Sequence, residues 1–165
     1  MTNFSDNSLF SGLSADQIGS IKKYFESYEY KAGDIIIEED SVGGSMFLLL
    51  EGEIIIDKSL IPLFEQVKIN PEDKKIINIK DDTLSYFGEM SMFDTNFKRS
   101  ASILAKTDTK VAFLSKDDFE NIIDQNPEIG IMILKNIGLK LSHLLDLSNV
   151  ELSKLITAFT MSLKL

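Results

Sequence analysis

The sequence predicts a mainly β protein in which an antiparallel jelly-roll barrel of about eight strands is flanked by helices. Short runs of β-branched and aromatic residues alternate with glycine-bearing turns between residues 28 and 115. A helix-start signal precedes this region, and an apolar repeat of helical period follows it. We therefore expect a single domain over residues 1–165, with a β-roll at about 28–115 and C-terminal helices at about 116–165.

The first helix is predicted from its amino end. Ser14 is an N-cap residue, and Gln17 completes a capping box, in which each side chain binds a backbone N–H of the other residue. Apolar residues then recur at helical spacing through Phe25. The expected helix ends near Ser27 and covers the sheet that follows with its apolar face.

Short strands follow in quick succession along the chain. Each is an apolar run bounded by turn residues, and Gly33-Asp34 and Gly52 mark two of the turns. A first strand is expected to end in the stretch 30–34, and further strands are expected at residues 35–37, 46–50, 53–57, 76–79, 102–105 and 110–114. Strands this short and this frequent are typical of an antiparallel sandwich or barrel.

One connection in this region is unusually long. Residues 58–72 contain an apolar stretch, Leu60 to Val67, that needs cover from another part of the chain or from a partner. We expect an elongated hairpin or flap, with a short helix or a partner contact surface as the alternatives.

Two helices are predicted after the strands. Ser115 caps a short helix, and Asn126-Pro127 begins a second one with proline at its first position. The second helix carries an apolar stripe too long for one small domain to cover, and a break is expected near 146–149. Its members are Ile131, Leu134, Ile137, Leu141, Leu144, Leu145, Leu152, Leu155, Phe159 and Leu163. We expect this helix to pair with its copy in a homodimer.

Composition excludes several kinds of partner. A net charge of −9 and a pI near 4.6 argue against nucleic acid, because affinity for a polyanion rests on clustered cations. Cysteine is absent, and no histidine-rich metal motif is present, so we expect no metal and no cofactor. The first residues lack the pattern of a targeting segment, and no apolar run approaches the length of a membrane span. We expect a cytoplasmic protein.

The sequence offers little for catalysis. It contains neither a P-loop nor a dinucleotide-binding fingerprint. The one histidine, His143, falls in the C-terminal helical pattern, where a partly exposed helix residue is the favoured interpretation. Paired acids, such as Asp117-Asp118, lie at expected turns or helix starts and are read as solvated surface. We expect a protein that is not an enzyme.

One stretch holds the residues that an anionic ligand needs. Arg99 is the only arginine in the chain, and its planar fork can pair with two phosphate oxygens at once. Gly88 lets the backbone approach a ligand closely. Ser100 adds a hydroxyl and an amide, and Glu89 is an acceptor for a sugar hydroxyl. A phosphate and a ribose together describe a nucleotide.

At these residues the sequence resembles the cyclic nucleotide-binding domain family. The phosphate-binding cassette of that family reads Phe-Gly-Glu, a short helix, and then Arg-(Ser/Thr/Ala)-Ala before a strand. The matching residues here are Phe87, Gly88, Glu89, Arg99, Ser100 and Ala101, and we call residues 87–101 the cassette. The turns at Gly33-Asp34 and Gly52 also resemble those of the family, whereas Glu39-Asp40 stands where relatives commonly have a glycine followed by an acid.

The resemblance implies that the ligand is bound by the following cassette residues: Phe87, Gly88, Glu89, Met90, Arg99, Ser100 and Ala101. Arg99 and Ser100 are expected to bind the cyclic phosphate, and Glu89 the ribose 2′-hydroxyl. Gly88 and Met90 are expected to contribute backbone groups.

The resemblance also points to the base. Lys140, Leu144 and Leu145 fall near the positions where relatives contact it from the C-terminal helix. Dimer packing is an equally good interpretation of the two leucines. Ser100, following the arginine, favours cyclic AMP over cyclic GMP within the family.

We expect a stand-alone, non-enzymatic receptor for a cyclic nucleotide that signals through its C-terminal helix to an unidentified protein partner. The DNA-reading module that follows this helix in bacterial activators is not expected, because the sequence ends at Leu165. The alternative is a nucleotide-free structural or adaptor domain that acts through dimerisation. A nucleotide hydrolase has little support.

Overall fold

The computed structural model describes residues 4–57, 85–93 and 98–162. Their strands form two antiparallel sheets, and helices lie before and after them. The strands are β1 Glu26–Tyr30, β2 Ile35–Ile37, β3 Ser45–Glu51, β4 Ile54–Asp57, β5 Tyr86–Phe87, β6 Ser102–Ala105 and β7 Thr109–Ser115. The helices are α1 Ala15–Ile21, α2 Met90–Phe93, α3 Lys116–Gln125 and α4 Pro127–Ser162, with 3₁₀ turns at Phe4–Asp6, Ser8–Phe10 and Lys22–Tyr24. The mainly β fold class with flanking helices is confirmed.

The first sheet has the order β1-β7-β3-β5, and the second has the order β2-β6-β4. Helices cover one face of the first sheet and the second sheet covers the other. Because successive side chains of a strand point to opposite faces, the inner strands of the first sheet bury side chains on both. Met46 and Leu48 of β3 face the helices, whereas Phe47 between them faces the second sheet. Tyr86 and Phe87 of β5 divide in the same way. Two apolar clusters result, one under the helices and one between the sheets.

Local sequence signals set the helix starts. Ser14 accepts a hydrogen bond from the backbone N–H of Gln17, whose side chain accepts from Ser14 in return, so the capping box is confirmed. Ser115 caps α3 by accepting from the backbone N–H of Asp118. Pro127 is the first residue of α4, as predicted.

The first helix is shorter than predicted. Its α-helical part ends at Ile21, a 3₁₀ turn follows, and β1 begins at Glu26. The ring of Phe25 makes edge contacts with the rings of Phe4 and Phe10. Pairing of β1 with β7 and this aromatic cluster therefore override the helical spacing that the sequence shows through Phe25.

The long C-terminal helix also differs from the prediction. It is continuous from Pro127 to Ser162 and has no break near residues 146–149. Its apolar members beyond residue 144 are exposed in the single chain, among them Leu145, Leu152 and Phe159. None of the helices in the described ranges has both the length and the apolar character needed to cross a membrane.

The turn at Glu39-Asp40, where the chain departs from the family pattern, contains one residue in a left-handed conformation. Asp40 has a φ of 61°, the left-handed conformation that glycine adopts most readily. Aspartate is among the few other residues that tolerate it. The left-handed residue of this turn is thus the acid, whereas Glu39, at the position of the family's glycine, does not have a positive φ. The segment 58–72, the expected strand 76–79 and residues 94–97 of the chain lie outside the described residues.

Candidate functional site

The site begins where β5 ends. Gly88 follows Phe87 with a φ of 79°, and α2 starts two residues later at Met90. A Cβ atom on Gly88 would lie only 2.7 Å from Nη1 of Arg99. Glycine is thus required both by the backbone conformation and by the approach of the guanidinium.

Arg99 is almost fully buried, with 7% of its surface exposed. Its Nη1 donates to the carbonyl oxygens of Ser45 and Gly88, at 2.8 and 3.0 Å, and to Oγ of Ser91 at 2.8 Å. Its Nη2 donates to Oγ of Ser45 at 2.7 Å. Burial lowers the pKa of Arg99, and the carboxylate of Glu89 opposes that shift. The guanidinium remains charged because an arginine pKa starts so far above neutrality.

Glu89 is buried against the C-terminal helix. Its Oε1 lies 3.1 Å from Nζ of Lys140, and both side chains are less than a tenth exposed. The ammonium of Lys140 also donates to the backbone carbonyl of Tyr86 at 2.5 Å and lies 4.0 Å from the centre of the Tyr86 ring. Burial lowers the pKa of Lys140, while Glu89 acts in the opposite direction. This ion pair joins the cassette to α4.

A second polar contact fixes α4 one turn before Lys140. Asn136 donates from Nδ2 to the backbone carbonyl oxygens of Leu9 and Ser11, and its backbone carbonyl accepts from the hydroxyl of Tyr86. Asn136 is buried, so these bonds satisfy groups that water does not reach. The N-terminal segment, β5 and α4 are thereby joined at a single residue.

The structure brings together four of the predicted site residues: Gly88, Glu89, Arg99 and Lys140. Two others, Met90 and Ser100, are exposed at its rim, where the Ser100 hydroxyl lies 4.0 Å from the Met90 sulfur. These two are open to solvent and to a ligand.

The other predicted residues have different surroundings. Phe87 is buried and stacks on Phe47 with ring centres 5.4 Å apart. Ala101 is also buried, and Leu144 is half-buried one turn beyond Lys140. Phe87 and Ala101 therefore belong to the frame of the site.

Sequence reasoning missed four residues of the site: Ser45, Tyr86, Ser91 and Asn136. Ser91 and Tyr86 lie within or beside the cassette motif, and that proximity is the signal that could have found them. Ser45 and Asn136 are 54 and 37 positions from Arg99, and no local pattern marks them.

Comparison with known proteins gives the family. The family model of the cyclic nucleotide-binding domain matches residues 28–126, more than half of the chain. The chain belongs to this family. Its members are ligand-binding regulatory domains, and the matched range includes the whole cassette.

Among the relatives is the cAMP-dependent protein kinase regulatory subunit of Aspergillus fumigatus, which is 32% identical over 115 residues, covering 70% of this chain and 24% of the relative. The Cyclic AMP receptor protein of Thermus thermophilus is 24% identical over 147 residues, covering 89% of this chain and 61% of the relative. Among solved structures, the chain is similar to a cyclic nucleotide-binding domain from Methylobacillus flagellatus. The TM-score is 0.68 and the identity 24%, and the match covers 86% of this chain and 74% of that one. The chain thus spans only part of these proteins.

Proposed function

We propose that this protein is a non-enzymatic, cytoplasmic receptor for a cyclic nucleotide, with cyclic AMP favoured over cyclic GMP. The observation that carries the proposal is the convergence of Gly88, Glu89 and Arg99 at one buried site in a member of the family. The names of the regulatory subunit and the receptor protein add cyclic AMP as the favoured ligand.

In this proposal the guanidinium of Arg99 and the hydroxyl of Ser100 bind the cyclic phosphate. Arg99 is already held in the cassette by four hydrogen bonds, so little side-chain freedom is lost on binding. Ser100 is exposed beside Met90 and is free to approach a ligand. A buried guanidinium attracts an anion more strongly than an exposed one, because water screens the charge less.

Glu89 would accept a hydrogen bond from the ribose 2′-hydroxyl. Its carboxylate has one oxygen within 3.1 Å of Lys140, and a carboxylate offers further lone pairs to a second donor. Leu144, one turn beyond Lys140, would contact the base.

We propose that binding is transmitted to a protein partner through α4. Glu89, the proposed ribose contact, forms an ion pair with Lys140 of α4, so a ligand that moves Glu89 would also act on this helix. Its exposed apolar residues at heptad spacing would pair with a second copy of the chain. They are Ile131, Leu134, Leu145, Leu152, Leu155 and Phe159. The test is sedimentation equilibrium of the protein and of Leu152→Glu, which we expect to be dimeric and monomeric respectively.

Calorimetric titration with cyclic AMP, cyclic GMP and linear AMP tests the ligand. We expect binding of a cyclic nucleotide and no heat with the linear one. Arg99→Ala should weaken binding about 30- to 150-fold, because a charged, bidentate partner of the phosphate is lost. Arg99→Lys is the matched control, since it keeps the charge and loses only the fork. Equal affinity of Arg99→Ala and the parent for the nucleotide would contradict the assignment of Arg99 as a phosphate-binding residue.

A second candidate function is a nucleotide-free adaptor that acts through dimerisation. One observation favours it: Glu89 is already paired with Lys140, and both terminal nitrogens of Arg99 already donate hydrogen bonds within the protein. An unchanged melting temperature in excess cyclic AMP and cyclic GMP would favour the adaptor over the receptor.

A further inference from the structure

We propose that two buried serine hydroxyls, those of Ser45 and Ser91, position Arg99 so that one edge of its guanidinium is kept for the ligand phosphate. This inference rests on the proposed function and deepens it. Neither serine is one of the residues that match the family pattern, although Ser91 lies within the cassette. Both are positioning residues, since they act through Arg99 rather than by touching the ligand.

The pattern of hydrogen bonds around the guanidinium carries the proposal. All four bonds are donated by the terminal nitrogens: three by Nη1, and one by Nη2 to Oγ of Ser45. Ser45 accepts from both Nη1 and Nη2 and so lies against the edge that these two nitrogens share, which leaves Nε and the second proton of Nη2 outside the bonds made with the described residues. Those two N–H groups are parallel and lie on the same edge of the planar group, which is the arrangement that grips two oxygens of a phosphate.

The hydroxyl of Ser91 is itself held in place. Its Oγ donates to the carbonyl oxygen of Gly88 at 3.0 Å and accepts from the backbone N–H of Gly44 at 3.2 Å. Ser91 is 2% exposed. The turn before α2 and the loop before β3 therefore fix the position of Ser91 Oγ, which accepts a hydrogen bond from Nη1 of Arg99.

Ser45 fixes the other side of the group. Its backbone carbonyl accepts from Nη1 and its hydroxyl from Nη2, so one residue orients the plane of the guanidinium. Ser45 is the first residue of β3 and pairs with Ser115 of β7, and these two strands are the inner strands of the first sheet. A rigid element supports a site more accurately than a loop does.

The chemistry of these acceptors suits an anion-binding arginine. All four are neutral oxygens, whereas a carboxylate in their place would neutralise the guanidinium and compete with the phosphate. Glu89, the acid of the site, is paired instead with Lys140. Serine hydroxyls thus orient the cation without cancelling its charge.

The experiment is a double-mutant cycle on cyclic AMP affinity, measured by calorimetry on the full chain. The proteins are the parent, Ser91→Ala, Arg99→Lys and the double variant. We expect Ser91→Ala to weaken binding about 5- to 10-fold in the parent, as expected for one hydrogen bond to a charged group. In the Arg99→Lys background the same change should have an effect of less than about twofold, because lysine has no planar edge to orient.

A control variant separates positioning from general destabilisation. Ser115→Ala also removes a serine hydroxyl, the one that caps α3 by accepting from the backbone N–H of Asp118 and donating to its carboxylate, and it should lower the melting temperature without changing affinity. A second readout uses Ser91→Ala alone. The parent should prefer cyclic AMP over its phosphorothioate analogues, and a loosened guanidinium should reduce that preference.

Each outcome decides the matter. A loss of affinity that is equal in both backgrounds, or tighter binding by Ser91→Ala, overturns the positioning role and leaves the receptor intact. If the parent binds no cyclic nucleotide, the proposed function fails and the inference fails with it. If Arg99→Lys binds too weakly to measure, the phosphorothioate preference decides: an unchanged ratio in Ser91→Ala overturns the positioning role.

Discussion

Nζ of Lys140 lies 3.1 Å from Oε1 of Glu89, and this buried contact ties the long helix α4 to the cassette. Two charges in such a place are costly to desolvate, and their mutual attraction repays the cost only with good geometry and further hydrogen bonds. Lys140 has a further bond, to the carbonyl of Tyr86. Removing only one partner is therefore far more damaging than removing both.

We expect Lys140→Met to lower the free energy of unfolding by about 3–5 kcal/mol, because it leaves the Glu89 carboxylate buried without its partner. The double variant Lys140→Met/Glu89→Gln should recover most of that loss, since a neutral amide has replaced the charge. Urea unfolding of the parent, both single variants and the double variant measures the coupling. Additive losses would mean that the two side chains do not interact in solution.

The glycine of the cassette gives a second prediction. Gly88→Ala combines two effects: an unfavourable φ of 79° and a Cβ only 2.7 Å from Nη1 of Arg99. Gly33→Ala separates them, because Gly33 has a φ of 94° and nothing within 4 Å of an added Cβ. Both variants should lose about 1–2 kcal/mol of stability from backbone strain.

Only Gly88→Ala should also displace Arg99 and weaken cyclic nucleotide binding, by about tenfold or more. Calorimetric titration of the two variants checks this, with thermal melts to report the strain. A comparable affinity loss in Gly33→Ala would show that strain in the β-roll, rather than contact with the guanidinium, governs binding.

The elements that the sequence predicts well are those set by near neighbours. The caps at Ser14 and Ser115 each depend on a residue three positions along the chain, and both are confirmed. The cassette follows the same logic, because Gly88 and Arg99 are read from one motif. Helical spacing alone was a weaker guide, since Phe25 leaves the helix to join the aromatic cluster near the N-terminus.

Partners that meet only through the fold were not predictable. Ser45 reaches Arg99 across 54 positions because β3 lies in the centre of the first sheet, and its register against β7 is set by packing on both faces. Asn136 is a polar residue within an apolar helical pattern, and its partners are backbone carbonyls near the N-terminus. Every residue has a backbone carbonyl, so the side chains of Leu9 and Ser11 give no sign that their carbonyls bind Asn136.

Alkaline pH should weaken the fold through Tyr86. Burial, and secondarily the carboxylate of Glu89, raise the pKa of Tyr86 well above its usual value of 10.0. The unfolded chain therefore gives up this proton first as pH rises above about 10, and the free energy of unfolding falls with pH in that range. Burial lowers the pKa of Lys140, which acts in the opposite direction up to its unfolded value of 10.5.

The difference between the parent and Tyr86→Phe isolates the tyrosine, because Lys140 is common to both. At neutral pH the parent should be the more stable, by about 1 kcal/mol for the hydrogen bond to the Asn136 carbonyl. That advantage should shrink as pH rises above 10, by at most about 1.4 kcal/mol per pH unit. Urea unfolding at pH 8 to 11 measures it, and a constant difference would contradict a raised pKa for Tyr86.

Asn136 should control how firmly the N-terminal segment is held. In Asn136→Leu the carbonyls of Leu9 and Ser11 lose their donor, and Leu9 is fully buried, so we expect a loss of about 2–3 kcal/mol. Amide hydrogen exchange in residues 4–14 should accelerate more than exchange in β3, because the lost bonds join that segment to α4. Asn121→Leu, at an exposed position of α3, is the matched control and should leave both rates unchanged. Equal acceleration in β3 and in residues 4–14 would mean that Asn136 stabilises the whole fold rather than this one attachment.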